Sequence, residues 1–177
     1  MDTIEAIELA PAGELARTGS RTRDALVAEL DGHGPLLLAA ARVITLDSAE
    51  AEDLVQTTFE IALRRLGDLR EPRALRAWLL TIQTREAFRV VRRLRHLVSL
   101  DGRVGEIPSQ GLDLAQRTDV RQALGRLPRR TRAAIALHHL AGLSVAETAR
   151  ALGVSENTVK SQLKTGLGRL REELSDG

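Results

Sequence analysis

Five side chains able to donate or accept hydrogen bonds crowd one short stretch near the end of the chain: Asn157, Thr158, Lys160, Ser161 and Lys164, with Ser155 just ahead. Amide, hydroxyl and ammonium groups at helical spacing can reach base edges and phosphates. A second set is basic. Arg85, Arg89, Arg92 and His96 recur at spacings of four, three and four, with Arg93 beside them, which makes a single stripe on a helix. Residues 85–96 contain one acid, Glu86, too few to neutralise the stripe, so a phosphate-binding face is the expectation. A third set is Glu52, Asp53 and Gln56, polar residues beside an apolar stripe. By themselves these three fit a solvated first helical turn, where acids favour the helix dipole.

Covalent and metal chemistry have no comparable residues. There is no glycine-rich phosphate loop with lysine, no cysteine, and no His–Glu–His zinc pattern. His138 and His139 are adjacent, so on a helix they point about 100° apart and cannot share a metal facially. The expectation is a protein that binds and does not catalyse, with no cofactor.

The elements that must position these residues are helices. The core is Leu, Ala, Val and Ile, with two Phe, one Trp and no Tyr. The stretch 143–163 reads as two helices and a tight turn. Ser144 caps the first, and Glu147 completes a capping box. Val145, Ala149 and Leu152 follow at helical spacing, and Gly153 stands where a helix end favours positive φ. Ser155 caps the second helix, and Val154 and Val159 are placed as a hydrophobic staple. Together these features describe a helix-turn-helix whose second helix reads DNA.

Earlier segments follow the same logic. Residues 1–22 read as a mobile tail. A helix is expected from about Asp24, broken at residues 31–35, and an apolar one over 36–46, with Pro35 opening it. Asp47 and Glu50 mark the start of the next, whose stripe is Ala51, Leu54, Val55, Thr58, Ile61, Ala62 and Leu66, widened by Phe59 and Leu63. A long helix is expected over 73–97. Gly102, Gly105, Pro108 and Gly111 mark a linker. Helical patterning resumes near Leu114, breaks at Pro128, and returns over 129–140.

Charge divides along the same line. Residues 1–60 hold 4 Arg and 12 Asp or Glu, a balance of −8, and residues 61–177 balance at +10. The acidic half suits a protein surface and the basic half a polyanion. No apolar run approaches the roughly 20 residues of a membrane span. The acidic N-terminus lacks a signal peptide's pattern, so a cytoplasmic protein without membrane insertion is expected.

Residues 24–97 resemble region 2 of bacterial sigma factors, and residues 114–174 resemble region 4. The strings that carry the resemblance are 49–59 (AEAEDLVQTTF), Trp78 to Ile82 (WLLTI), Leu127-Pro128, 137–147 (LHHLAGLSVAE) and Thr158 to Ser161 (TVKS). The whole is similar to an extracytoplasmic-function (group IV) sigma factor. The implied fold class is all-α: two small helical domains, a region 2-like bundle and a region 4-like helix-turn-helix, joined by a flexible linker. The domains are then 1–22 tail, 23–97 region 2-like, 98–113 linker and 114–177 region 4-like.

The resemblance implies partners: RNA polymerase core, through its β′ clamp helices and β flap, and promoter DNA. It also allows an anti-sigma factor. Glu52, Asp53, Leu54, Val55 and Gln56 fall where the family docks on core. Lys160, Ser161 and Lys164 fall where it reads the minus-35 element. Arg85 and Arg89 stand where the family usually carries Asn and Asp, so the face meeting the non-template strand is more basic. Aromatics for base stacking are few, Trp78 and Phe88. Strand opening is therefore expected to rely on a flipped base held in a loop near Asp68–Pro72, with arginine contacts. The competing reading is a stand-alone regulator, since the last 35 residues also resemble a response-regulator helix-turn-helix. That reading requires a receiver domain with alternating strands, for which residues 1–110 show no pattern.

Overall fold

A computed structural model describes residues 27–69, 71–100 and 119–175, with the side chains of 90–100 outside the description. The expected tail, and the expected linker beyond residue 100, lie outside the described residues. Residues 27–32 are helical. Residues 33–177 form one compact unit, and no strand occurs among the described residues.

Helix α1 (Gly34–Thr45) has Pro35 in its first turn, where a missing N–H costs nothing. Leu37, Ala40, Ala41 and Ile44 are buried, as an apolar helix demands. It ends at Leu46, whose φ is +62°, the left-handed region that side chains other than glycine rarely adopt. Helix α2 (Ser48–Arg64) starts as the sequence indicates: Asp47 Oδ1 accepts the Glu50 amide at 2.7 Å. Its buried face is Ala51, Leu54, Thr58 and Ala62. A short 3₁₀ turn (Pro72–Ala74) leads into α3 (Leu75–Leu100), which starts two residues later and ends three later than the patterning suggests.

Helices α1, α2 and α3 pack on one another. Leu75, Leu79 and Leu80 are essentially inaccessible, and full burial of each such side chain contributes about 1.5–3 kcal/mol. The buried hydroxyls are satisfied within their own helices: Thr58 donates to Leu54 O and Thr84 to Leu80 O, each at 2.7 Å. Gln83, also buried, donates from Nε2 to Leu37 O at 2.9 Å and ties α3 to α1.

The second half comprises α4 (Asp119–Gly125), α5 (Arg129–Ile135), α6 (Val145–Leu152) and α7 (Glu156–Ser175). Sequence patterning suggests one helix over 129–140. It is instead α-helical to Ile135 and then widens into a π turn (Ala136–Leu140), closed by Ala141 N–H donating to Ala136 O. Gly142, φ +68°, ends it. α5 and α7 cross closely at Gly166. A Cβ there would stand 2.6 Å from Thr131 Cγ2 and 2.9 Å from Ile135 Cδ1.

The two halves touch within the compact unit. α1 packs against α5, and α3 against α6.

Candidate nucleic-acid and protein-docking surfaces

The capping box forms as the sequence implies. Ser144 Oγ accepts the Glu147 amide at 3.2 Å, and Glu147 Oε2 accepts the Ser144 amide at 2.8 Å. Hydrogen bonds from Ser144 hold the Glu147 carboxyl below the usual range. Gly153 adopts φ +66° and turns the chain. Val159 and Leu163 then anchor one face of α7 in the core.

That anchoring turns the opposite face to solvent. Ser155, Asn157, Thr158, Lys160, Ser161 and Lys164 are all exposed. Ser155 and Thr158 are partly committed to the cap, since Ser155 Oγ accepts the Thr158 amide at 3.2 Å and lies 2.9 Å from its hydroxyl. Asn157, Lys160, Ser161 and Lys164 carry the uncommitted donors. They cover successive turns of one helix face, as major-groove reading requires.

The basic stripe on α3 is reduced by one member. Arg89 donates from Nε to both carboxylate oxygens of Glu86, at 2.9 and 2.7 Å. Glu86 is itself buried, and this pairing raises the Arg89 pKa above its ordinary value. The single acid in 85–96 therefore fixes Arg89 in place, while Arg85 stays exposed. Arg92 and Arg93 lie on α3, with side chains outside the described residues. Phe88 is covered as well: the Arg130 guanidinium sits 5.2 Å from its ring centre, a cation–π contact that occupies a stacking face.

The acidic surface on α2 divides. Glu52, Asp53 and Gln56 are exposed and Val55 is half-buried, whereas Leu54, only 6 % exposed, belongs to the core. Beside the exposed set runs a cavity of about 530 Å³ lined by Leu38, Val55, Phe59 and Leu63, with Glu52, Gln56 and Glu60 also along it. An apolar floor with a polar rim is the composition of a protein-docking surface.

A second cavity, about 380 Å³, lies at the loop where a flipped base is expected. Asp68, Leu69, Glu71, Ala74, Ala77, Trp78 and Thr81 line it, and so do Glu147 and Arg150 from α6. Sequence reading gave Glu147 only a capping role, and missed Arg150, Arg121, Arg129 and Arg132. Arg132 is buried, and its Nε and Nη2 donate to Ile44 O at 3.3 and 3.1 Å while Nη1 donates to Leu127 O at 2.7 Å. Burial, and then repulsion from Arg129, push its pKa down to about 10, so it remains charged at neutral pH. No local pattern marks such residues, because their partners lie 79 and 88 positions away.

Two family models match this chain, the sigma-70 region 2 model at residues 30–97 and the sigma-70 region 4 model at 117–170. It is 35% identical over 143 residues to the RNA polymerase sigma-E factor of Streptomyces avermitilis, covering 78% of each chain. It is 31% identical to the sigma factor CnrH of Cupriavidus metallidurans, covering 93% of this chain and 90% of that one. Its fold is similar to that of RpoE from Bartonella quintana, solved in complex with the anti-sigma factor NepR, with a TM-score of 0.69, 33% identity and coverage of 84% and 95%. The chain belongs to the sigma-70 family, as an extracytoplasmic-function RNA polymerase sigma factor. The stand-alone regulator is not favoured, because region 2, and not a receiver domain, precedes the helix-turn-helix.

Proposed function

We propose that this protein gives RNA polymerase core its promoter specificity, with the work divided among three surfaces. α7 reads the minus-35 element through Asn157, Lys160, Ser161 and Lys164, with Ser155 and Thr158 holding the cap and approaching the backbone. Arg85, Arg92 and Arg93 on α3 meet the minus-10 region, beside Arg89, which Glu86 holds. Glu52, Asp53, Val55 and Gln56 dock on core at the β′ clamp helices, Leu54 supports them from beneath, and region 4 meets the β flap. In this reading the domains are 23–97 and 114–177, joined by 98–113, and the protein acts in the cytoplasm. No described helix is long and apolar enough to cross a membrane.

The observation that carries this reading is the pairing, in one chain, of an exposed lysine-bearing recognition face with an acidic-rimmed apolar groove on a separate helix. Two lysines make a small electrostatic footprint, since each phosphate contact adds only modestly to affinity. A factor tethered through core needs from α7 only the choice of position. An anti-sigma factor is a fitting further partner, as relatives of similar fold were solved with one.

Run-off transcription with purified core tests the proposal. Transcripts should start at discrete promoters in a genomic library only when the protein is added. A library in which it elicits none would refute the reading.

A further inference from the structure

Glu86 is the one acid in the basic stretch 85–96, and it is turned inward. Its side chain is 9 % exposed, while that of Arg89, three residues on and so on the same helix face, is 48 % exposed. Arg89 donates from Nε to both carboxylate oxygens, at 2.9 and 2.7 Å, and from Nη2 to Oε1. A guanidinium carries five N–H groups in a planar fork. This pairing uses the side of the fork made by Nε and Nη2. The end of the fork, both Nη1 hydrogens and the second on Nη2, is left over on a side chain that reaches solvent.

Held in this way, the guanidinium gives up little rotamer freedom on meeting a ligand. Its charge is also offset by the carboxylate beside it, so the pull that a bare cation exerts on a phosphate is largely cancelled. What is left is a rigid, donor-only edge able to make two parallel hydrogen bonds. Among the bases, guanine alone presents two acceptors side by side, O6 and N7. Adenine and cytosine place an amino donor on that edge, and thymine has the single acceptor O4. Arg85, one turn earlier, is the contrast. It is exposed and enters no ion pair among the described residues, so its full charge suits a phosphate. One Trp and two Phe in the whole chain leave few rings for stacking, so hydrogen bonds must carry more of the base choice.

We propose that Arg89, held by Glu86, reads a guanine in the strand that α3 meets, with Glu86 as a positioning residue and Arg85 gripping the backbone beside it. This deepens the reading of α3 as the minus-10 face and rests on it for the place of the guanine, but the preference itself can be measured without it.

The probes are labelled 12-nucleotide oligothymidylates with one central guanine, adenine, cytosine or 7-deazaguanine, or with none. Anisotropy follows their binding to the full chain in complex with core, with core alone as the blank. If core does not take up the chain, the same strands are read on the full chain by itself. The parent should bind the guanine strand about five-fold or more tightly than the others. The 7-deazaguanine strand, which lacks N7, should lose most of that advantage. Arg89→Lys, which keeps the charge but not the fork, should bind every strand alike. Glu86→Gln should lower the guanine preference and at the same time tighten the all-thymine strand, because it releases an uncompensated cation; damage to the fold would weaken every strand instead. Arg85→Ala should weaken all strands equally and leave the preference in place. Circular dichroism establishes that each variant is folded. Loss of fold in one leaves the others to decide, and the 7-deazaguanine comparison needs no variant. A parent indifferent to the base, or one that binds no strand, would overturn the proposal. So would a guanine preference that survives in folded Arg89→Lys, or one unchanged in folded Glu86→Gln. Parental run-off transcription is a separate readout: its failure beside an intact guanine preference would sink the sigma-factor reading and leave the guanine reader standing.

Discussion

Asp53 and Leu54 are neighbours in the same predicted docking string, yet they do different work. Leu54 is sealed between helices, so Leu54→Ala should lower stability by about 2–5 kcal/mol in chemical denaturation. Asp53 is exposed, so Asp53→Ala should leave the denaturation midpoint unchanged while weakening capture by immobilised core. At the other surface, Lys160 has an uncommitted ammonium. Lys160→Ala should reduce promoter affinity by about 1–3 kcal/mol if it contacts a base, with core capture unaffected; equal loss in both assays would mean that α7 has unfolded. The apolar stripe of α2 was legible from its spacing. Which of its members point inward and which stop at the surface was not, because that depends on where α1 and α3 lie.

Among the elements, the helix-turn-helix was the most legible, since caps, turn glycine and anchoring valine all act within a few residues of one another. Its capping box sets a pH dependence. The Glu147 carboxyl is depressed in the folded protein, so the folded state binds its proton less readily than the unfolded chain. The associated stability is present above the ordinary carboxylate pKa and is lost as pH falls through the lowered value. Protection of the α6 amides, relative to their intrinsic exchange at each pH, should therefore fall on acidification below about pH 4, near the reference carboxylate range, and Ser144→Ala should weaken that dependence. The crossing of α5 and α7 was not legible, since a glycine within a helix carries no signal of what passes over it. Gly166→Ala should cost about 1–3 kcal/mol, the usual range for overpacking, and displace the recognition helix, seen as weaker DNA binding with core capture retained. The π turn was likewise invisible, because its apolar spacing is that of an ordinary helix.

At the scale of the molecule, both halves and their order could be read from sequence, but not their embrace. Arg121, Arg129 and Arg132 look like part of a general basic excess until Ile44, Leu46 and Glu50 are placed beside them. Long-range pairing of this kind has no periodicity to detect. Two of the three arginines bind neutral carbonyl oxygens and not carboxylates, and this sets how the protein would meet osmotic stress. Counterions screen charge pairs and compete for phosphates, but have little hold on a guanidinium enclosed against backbone. Raising potassium chloride from about 50 to 200 mM should thus cut DNA affinity steeply and leave the Arg132 contact with Ile44 O nearly unchanged. Anisotropy with labelled promoter DNA and amide exchange along α1, both repeated across that range, would show a factor that hyperosmotic conditions disengage from DNA without loosening its fold.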